Sequence, residues 1–321
     1  MINEFQPTGF CAAVKAANRR ARTIAAVACA VLAVSLPPAR AQDLAASEAA
    51  RRAALLAALP SDAAKRVFGL VAGPAAGPPR SIGGYAKGCI AGAVPLPADG
   101  ETWQVMRPAR NRAWGHPLLI AFLERIAGSL PPISGWPGLL IGDLGQPRGG
   151  PMVSGHASHQ IGLDADIWFT SMPGRRLTAG ERDNLPAPSI VAADGNDVDR
   201  AVWGPPYRKL IETVVRAPEL ARMFVNPAIK QALCREAGAD REWLNKVRPW
   251  WGHDDHFHIR LNCSAGDTLC QSQPPPPPGD GCGELAWWFT EEGRHPKPGP
   301  PEKPLLVSQL PPECAAVAAA R

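Results

Sequence analysis

The sequence predicts a mixed fold of helices and strands threaded with long loops. Three observations carry that expectation. Two stretches, 163–169 and 256–261, alternate apolar and polar residues with the period of a strand. Several other segments open on proline or a capping residue and repeat apolar side chains at helical spacing. Hydrophobic residues make up 45% of the chain, enough for a core, while 36 prolines keep the elements short.

The chain opens on what reads as a secretory leader, residues 1–41. Lys15, Arg19, Arg20 and Arg22 form a positive start. Thr23 to Leu36 is apolar but too short to span a bilayer comfortably. Ala39-Arg40-Ala41 is a small-x-small cleavage pattern, which places the cut after Ala41. The mature part, 42–321, is expected to be one exported, soluble domain with a proline-rich C-terminal extension and no stable membrane insertion. The leader holds five basic residues and one acid, so its removal takes the formal charge from +5 to +1. That balance argues against nucleic acid as a partner, because such binders carry a basic stripe. Cys11 and Cys29 leave with the leader; six cysteines remain, an even number suited to an oxidising compartment. Six cysteines allow fifteen pairings, and spacing alone does not choose among them.

Within the mature part, Ser47 to Leu70 reads as two short helices broken at Pro60, with Ser47 as N-cap. Gly88 to Pro97 and Glu101 to Arg107 read as short strands around turns. A turn at 111–117 leads into a helix from Leu118 to Ile126, and Leu139 to Asp143 reads as a strand. The loop Gln146 to Pro151 carries Arg148, expected to hold a substrate carboxylate bidentately. Pro206 and Pro227 each open a helix, and Asp240 is expected to cap a third, short one. A five-proline run, 274–278, then precedes Trp287 and Trp288 and a second proline-rich stretch.

The chemistry concentrates in two segments. Ser154 to Phe169 reads SGHASHQIGLDADIWF, with His156 and His159 three apart and Asp166 seven beyond His159. Leu163, Ala165 and Ile167 face one side of a strand, Asp164 and Asp166 the other. Two carboxylates on one face are costly to bury without a partner, and a metal ion is such a partner. Trp250 to Leu261 reads WWGHDDHFHIRL, a strand from His253 onward. His256 and His258 share a face; Phe257, Ile259 and Leu261 point to the core. Five of the seven histidines fall in these two segments. His159, Asp166 and His258 form the best ligand set, nitrogen and oxygen donors that suit zinc. Three protein ligands leave a position for water, whose pKa zinc lowers toward neutrality. His253 or His256 then takes the proton or steadies the oxyanion. No H-E-x-x-H occurs, so the base is expected to be histidine. His256 is the first choice, with an unperturbed pKa of about 6.5.

Together these residues carry a resemblance. G-H-A-S-H-Q-x-G-L-D-x-D followed by W-W-G-H-D-D-H-F-H-I-R-L resembles the penicillin-insensitive murein endopeptidases, part of the wider lysostaphin and D-Ala-D-Ala metallopeptidase group. The segments 111–117 (NRAWGHP) and 224–230 (FVNPAIK), with Leu233-Cys234, also look familial, so the resemblance covers most of the mature chain. It implies an α+β fold in which a central antiparallel sheet carries the zinc site, flanked by helices and long loops and tied by disulfides. It implies a periplasmic zinc enzyme that cuts D-alanyl to meso-diaminopimelyl cross-links between peptidoglycan stem peptides. Lacking an acyl-serine, such an enzyme is insensitive to penicillin. By position, His159, Asp166 and His258 would be the zinc ligands, His156 a further metal-site residue, and His253 and His256 active-site histidines. A second metal in this family lies near Asp-x-x-His. The matching place reads Asp194-Gly195-Asn196-Asp197, where Asp194 and Asp197 would offer only oxygen. The family's disulfide pattern implies Cys89–Cys314, Cys234–Cys282 and Cys263–Cys270. Two other readings use the same core: a zinc carboxypeptidase acting on stem peptides, and a non-catalytic, zinc-stabilised cell-wall-binding module.

Overall fold

The two histidine-bearing segments meet at the middle of one six-stranded sheet. The computed structural model describes residues 50–297, 299 and 303–320. The leader at 1–41 and the expected cap at Ser47 lie outside the described residues. Among the described residues, β1 (Arg80–Gly84) and β2 (Lys87–Ala91) form a hairpin, and β3 (Val94–Pro95) pairs with β5 (Trp114–Gly115). The main sheet contains β4 (Trp103–Val105), β6 (Leu139–Ile141), β7 (Asp164–Ser171), β8 (Leu220–Val225), β9 (Val247–Pro249) and β10 (His256–Leu261). Their spatial order is β4-β6-β7-β10-β8-β9. The four central strands are antiparallel; the two outer pairs, β4–β6 and β8–β9, are parallel.

Register does the work of assembly. Antiparallel pairing of β7 with β10 sets His258 opposite Asp166, and Arg260 opposite Asp164. Directly opposed residues share a face. The polar residues of both strands therefore gather on one side of the sheet. Ala165, Ile167 and Phe169 of β7, with Phe257, Ile259 and Leu261 of β10, point the other way into the main core. A one-residue slip would exchange the two faces, burying the charges in the apolar layer.

Helices cover that apolar face. α1 (Pro117–Ser129) buries Leu119, Ile120, Phe122, Leu123 and Ile126. α2 (Pro205–Val215) buries Leu210, Ile211, Val214 and Val215, and α3 (Pro227–Glu236) buries Ala228, Ile229, Ala232 and Leu233. Each starts on proline, whose fixed φ suits a first turn and whose missing N–H is not needed there. His116 caps α1, its Nδ1 accepting from the Leu118 N–H at 3.1 Å. The expected cap at Asp240 is not one. The following turn, Glu242–Lys246, is a 3₁₀ helix with no side-chain cap, and the Asp240 carboxylate pairs with Arg216 at 2.6 Å.

The C-terminal segment folds back on the start of the described chain. α4 (Glu313–Ala319) buries Cys314 and Val317 beside Phe68, Ile82 and Cys89 in a second apolar cluster. The three disulfides are Cys89–Cys314, Cys234–Cys282 and Cys263–Cys270, as the resemblance implied. The first joins β2 to α4; the second ties α3 to the segment beyond the proline run.

Candidate metal centre

Asp166 is the hub of the polar face, and four histidines surround it. His159 Nε2 lies 3.3 Å from Asp166 Oδ1, and His156 Nδ1 lies 3.4 Å from Oδ2. His258 Nδ1 is 3.6 Å and His256 Nε2 3.7 Å from Oδ1. The strand β7 delivers Asp166, and β10 delivers His256 and His258. The other two arrive on the loop before β7, which must turn sharply to bring them in. His159 sits there at φ 65° and Gly162 at φ 73°. A side chain at Gly162 would come within 2.4 Å of Ile90 Cδ1, so the turn takes glycine. His159 holds its left-handed backbone because its N–H donates to Asp164 Oδ2 at 3.1 Å. A residue strained in this way, and over-determined by its surroundings, is a common mark of a working site.

The outward nitrogens decide the chemistry of the inward ones. His258 Nε2 faces Asp164 Oδ1 at 2.9 Å, and His156 Nε2 faces Asp143 Oδ2 at 3.1 Å. His159 Nδ1 faces the Leu144 carbonyl. Each partner is an acceptor, so each outward nitrogen is the N–H donor. In the neutral rings, the three inward nitrogens then present lone pairs to a carboxylate that is itself only an acceptor. His159 Nε2 and Asp166 Oδ1 are buried without any hydrogen-bond partner. Orphaned acceptors turned on one another repel unless a cation lies among them. His156, His159 and Asp166 each offer a ligand atom within 4.8 Å of the others, and His258 flanks them. The donor set, imidazole nitrogen with carboxylate oxygen, fits zinc.

Carboxylates and arginines set the field around this cluster. Burial works against ionised Asp166, but His159 and His156 outweigh it and hold it well below the usual carboxylate range. Asp164 is likewise held low against burial by Arg260 and His258. Asp143 is held low against burial by its bond to His156 and by Arg112 and Arg110, at 3.0 and 3.1 Å. Burial, then His159, press His258 down to about 3.

The two other histidines diverge. Burial draws His256 down, but Asp166 and Asp255 push it up to about 9. The expectation of an unperturbed His256 is therefore corrected: it lies between two carboxylates. His253 is lowered, chiefly by burial and then by His256. It does not begin a strand. It occupies a turn at φ 54°, its ring 4.9 Å from that of His256, with Nδ1 donating to the Trp251 carbonyl at 2.7 Å.

Two expectations place residues elsewhere. Arg148 is buried, and its guanidinium donates to the carbonyls of Gly73, Val317 and Ala318 at 3.2, 3.1 and 2.8 Å. Its donors fasten α4 to the body, so it is not presented to a substrate. Asp194 accepts from the backbone and side chain of Asn196 at 3.0 and 2.9 Å. Asp197 accepts from the Val198 N–H at 2.9 Å and from Arg235 at 3.1 Å. Among the described residues, Asp194 and Asp197 do not fall in a metal-holding group. Conversely, Asp143, Asp164, Arg112 and Arg260 were not singled out as site residues. Asp164 and Arg260 left a signal, since each stands two residues from a candidate ligand on the same strand face. Asp143 left none, because its place beside His156 is purely tertiary.

The family described as penicillin-insensitive murein endopeptidase matches residues 81–319. A protein of that name from Yersinia enterocolitica is 46% identical over 245 residues, 76% of this chain and 87% of its own. One from Klebsiella pneumoniae is 47% identical over 247 residues, covering 76% and 88%. The Escherichia coli protein of the same name is 45% identical over 269 residues, covering 82% and 96%. A match that spans the main sheet, both histidine segments and all three disulfides leaves one placement: the chain belongs to the penicillin-insensitive murein endopeptidase family.

Proposed function

We propose that the chain is an exported zinc endopeptidase of peptidoglycan. It would hydrolyse the D-alanyl to meso-diaminopimelyl cross-link between stem peptides in the periplasm. The observation that carries this reading is the convergence of the inward nitrogens of His159 and His258 on the buried, partnerless Oδ1 of Asp166, with His156 Nδ1 against Oδ2. His159, Asp166 and His258 would hold the zinc, with His156 beside them. Zinc bound there supplies Lewis acidity, making water a nucleophile at neutral pH and polarising a carbonyl. The buried carboxylates Asp143 and Asp164 keep the rings of His156 and His258 turned inward. His253 is the better proton acceptor, because Trp251 takes its Nδ1 hydrogen and leaves Nε2 with a lone pair. Asp255 accepts from His256 Nδ1 at 2.5 Å, and in the protonated ring Nε2 would donate to the oxyanion that develops on the scissile carbonyl. No serine nucleophile enters this scheme, which accounts for insensitivity to penicillin. Three disulfides support export to an oxidising compartment, and among the described residues no helix is long and apolar enough to cross a membrane.

The test is product analysis on purified muropeptides. The mature protein should convert cross-linked dimers to monomers, lose that activity to a chelator, regain it with zinc, and ignore β-lactams. His253→Ala should keep its zinc and lose about a hundredfold or more in turnover, the scale of general acid–base help. Trimming of free stem ends with dimers left intact would transfer the protein to the carboxypeptidases.

A further inference from the structure

Beside the metal centre, four tryptophans form an exposed aromatic surface that the hydrolytic scheme does not use. Trp250 and Trp251 precede the His253 turn, and Trp287 and Trp288 lie on the 3₁₀ helix Leu285–Phe289. The Trp251 and Trp288 rings are 4.8 Å apart, Trp287 and Trp288 5.2 Å, and Trp250 and Trp251 5.1 Å. Large apolar side chains in contact usually bury one another fully, yet Trp250, Trp251 and Trp287 remain 48%, 36% and 43% exposed. A contiguous apolar patch of this kind on a soluble surface marks a binding site.

The patch is held rigidly and runs into the catalytic centre. Trp251 Nε1 donates to the Gly293 carbonyl at 2.7 Å, while its own carbonyl holds His253. Trp250 packs edge-on against Phe224, whose ring in turn lies 5.2 Å from that of His258. One aromatic ring therefore separates the platform from a candidate zinc ligand. The Trp251 and Trp288 side also borders a cavity of about 390 Å³ lined by Asn226, Phe289 and Arg294.

We infer that this surface binds the glycan strand of the polymer, through the apolar faces of its amino-sugar rings. The inference rests on the proposed substrate, in which every stem peptide hangs from such a strand and the chain must pass close to the cut. Indole faces are flat and carry negative charge density, which suits the axial C–H groups of a pyranose ring. Two basic groups at the border, Arg248 and Arg294, are already engaged. Arg248 pairs with Glu284 at 3.2 Å, and Arg294 donates to the Asp194 carbonyl and to Asn196. Those contacts favour a neutral ligand over the charged stem peptide.

The experiment uses oligomers of N-acetylglucosamine, a neutral amino-sugar chain, titrated into the zinc-loaded mature protein while tryptophan fluorescence is followed. Binding should quench the emission. Trp287→Ala should weaken the affinity about tenfold, a usual scale for an exposed aromatic anchor, and Trp287→Phe should restore most of it. Matching thermal melts for the two variants would separate lost stacking from lost folding. No binding by the unaltered protein, or equal binding by Trp287→Ala, would overturn the inference, as would stem peptides alone binding in a Trp287-dependent way. Hydrolysis of cross-linked dimers, scored separately on the same preparation, distinguishes failure of the glycan surface from failure of the catalytic reading.

Discussion

Asp164 stands outside the candidate ligand set, yet two of the candidate ligands hang on it. Its Oδ1 accepts from His258 Nε2 at 2.9 Å and from Arg260 Nε at 2.7 Å, and its Oδ2 accepts from the His159 N–H at 3.1 Å. One buried carboxylate thus fixes the tautomer of one candidate ligand and the backbone of another. Arg260 is itself clamped, 4.2 Å from the Tyr85 ring and 5.2 Å from that of Phe224, with Gln273 on its far nitrogen. Asp164→Asn keeps the volume but turns one acceptor into a donor facing another donor. Zinc affinity, measured by competition with a chromophoric chelator, should fall about 10- to 100-fold, the usual cost of losing an outer partner. Unchanged affinity would show that the ligands orient themselves. The grouping of His159, Asp166 and His258 was legible because their spacing is one that metal ligation would impose on local sequence. The role of Asp164 was only half legible: its facing follows from strand period, but its partner Arg260 follows from a register fixed between distant strands.

At the scale of elements, strands and helices were read more surely than the destinations of loops. Alternation at 163–169, apolar spacing from 118 to 126 and prolines at 206 and 227 announce β7, α1, α2 and α3 through local physics, although α2 begins one residue earlier, at Pro205. The loop arginine at 148 announces nothing, because its acceptors lie at the other end of the chain. Its guanidinium completes the C-terminal end of α4, where the last carbonyls have no helical donor. Together with Cys89–Cys314 it closes the second apolar cluster. Arg148→Ala should therefore lower stability by about 1.5–3 kcal/mol, the range for hydrogen bonds to a charged group. The denaturant midpoint measures that loss. Turnover of cross-linked dimers by the folded fraction should not change. A raised KM with unaltered stability would instead return Arg148 to the substrate. Asp194 and Asp197 make the same point about loops: their turn is legible, but Asn196 and Arg235 claim the carboxylates.

For the whole molecule, the centre couples stability to pH and to metal. In the metal-free protein His258 is pressed down to about 3, so its folded form prefers the neutral ring. That preference stabilises above the unfolded value of about 6.5 and is lost as pH falls below it. His256 is raised to about 9, so its contribution is full below about 6.5 and disappears as pH rises through 9. Asp143, Asp164 and Asp166 are held low, so their contributions persist above about pH 4 and are lost as pH falls further. The metal-free protein should thus be most stable near pH 6.5, with a steeper decline on the acid side, where the lowered histidines His253 and His258 act together with the three carboxylates. A metal that binds only the folded chain adds stability in proportion to RT ln(1 + [L]/Kd). It competes with protons for the inward nitrogen of His159, which burial draws down but Asp166 raises above the usual imidazole value, so its affinity weakens as that ring protonates. The gap in Tm between zinc-loaded and chelated protein should therefore widen from pH 5 to pH 7.5 at constant free zinc. His159→Ala should close most of that gap across the range, since it removes the buried Nε2 that has no other partner. A gap independent of pH, or one that survives His159→Ala undiminished, would place the stabilising zinc somewhere other than around Asp166.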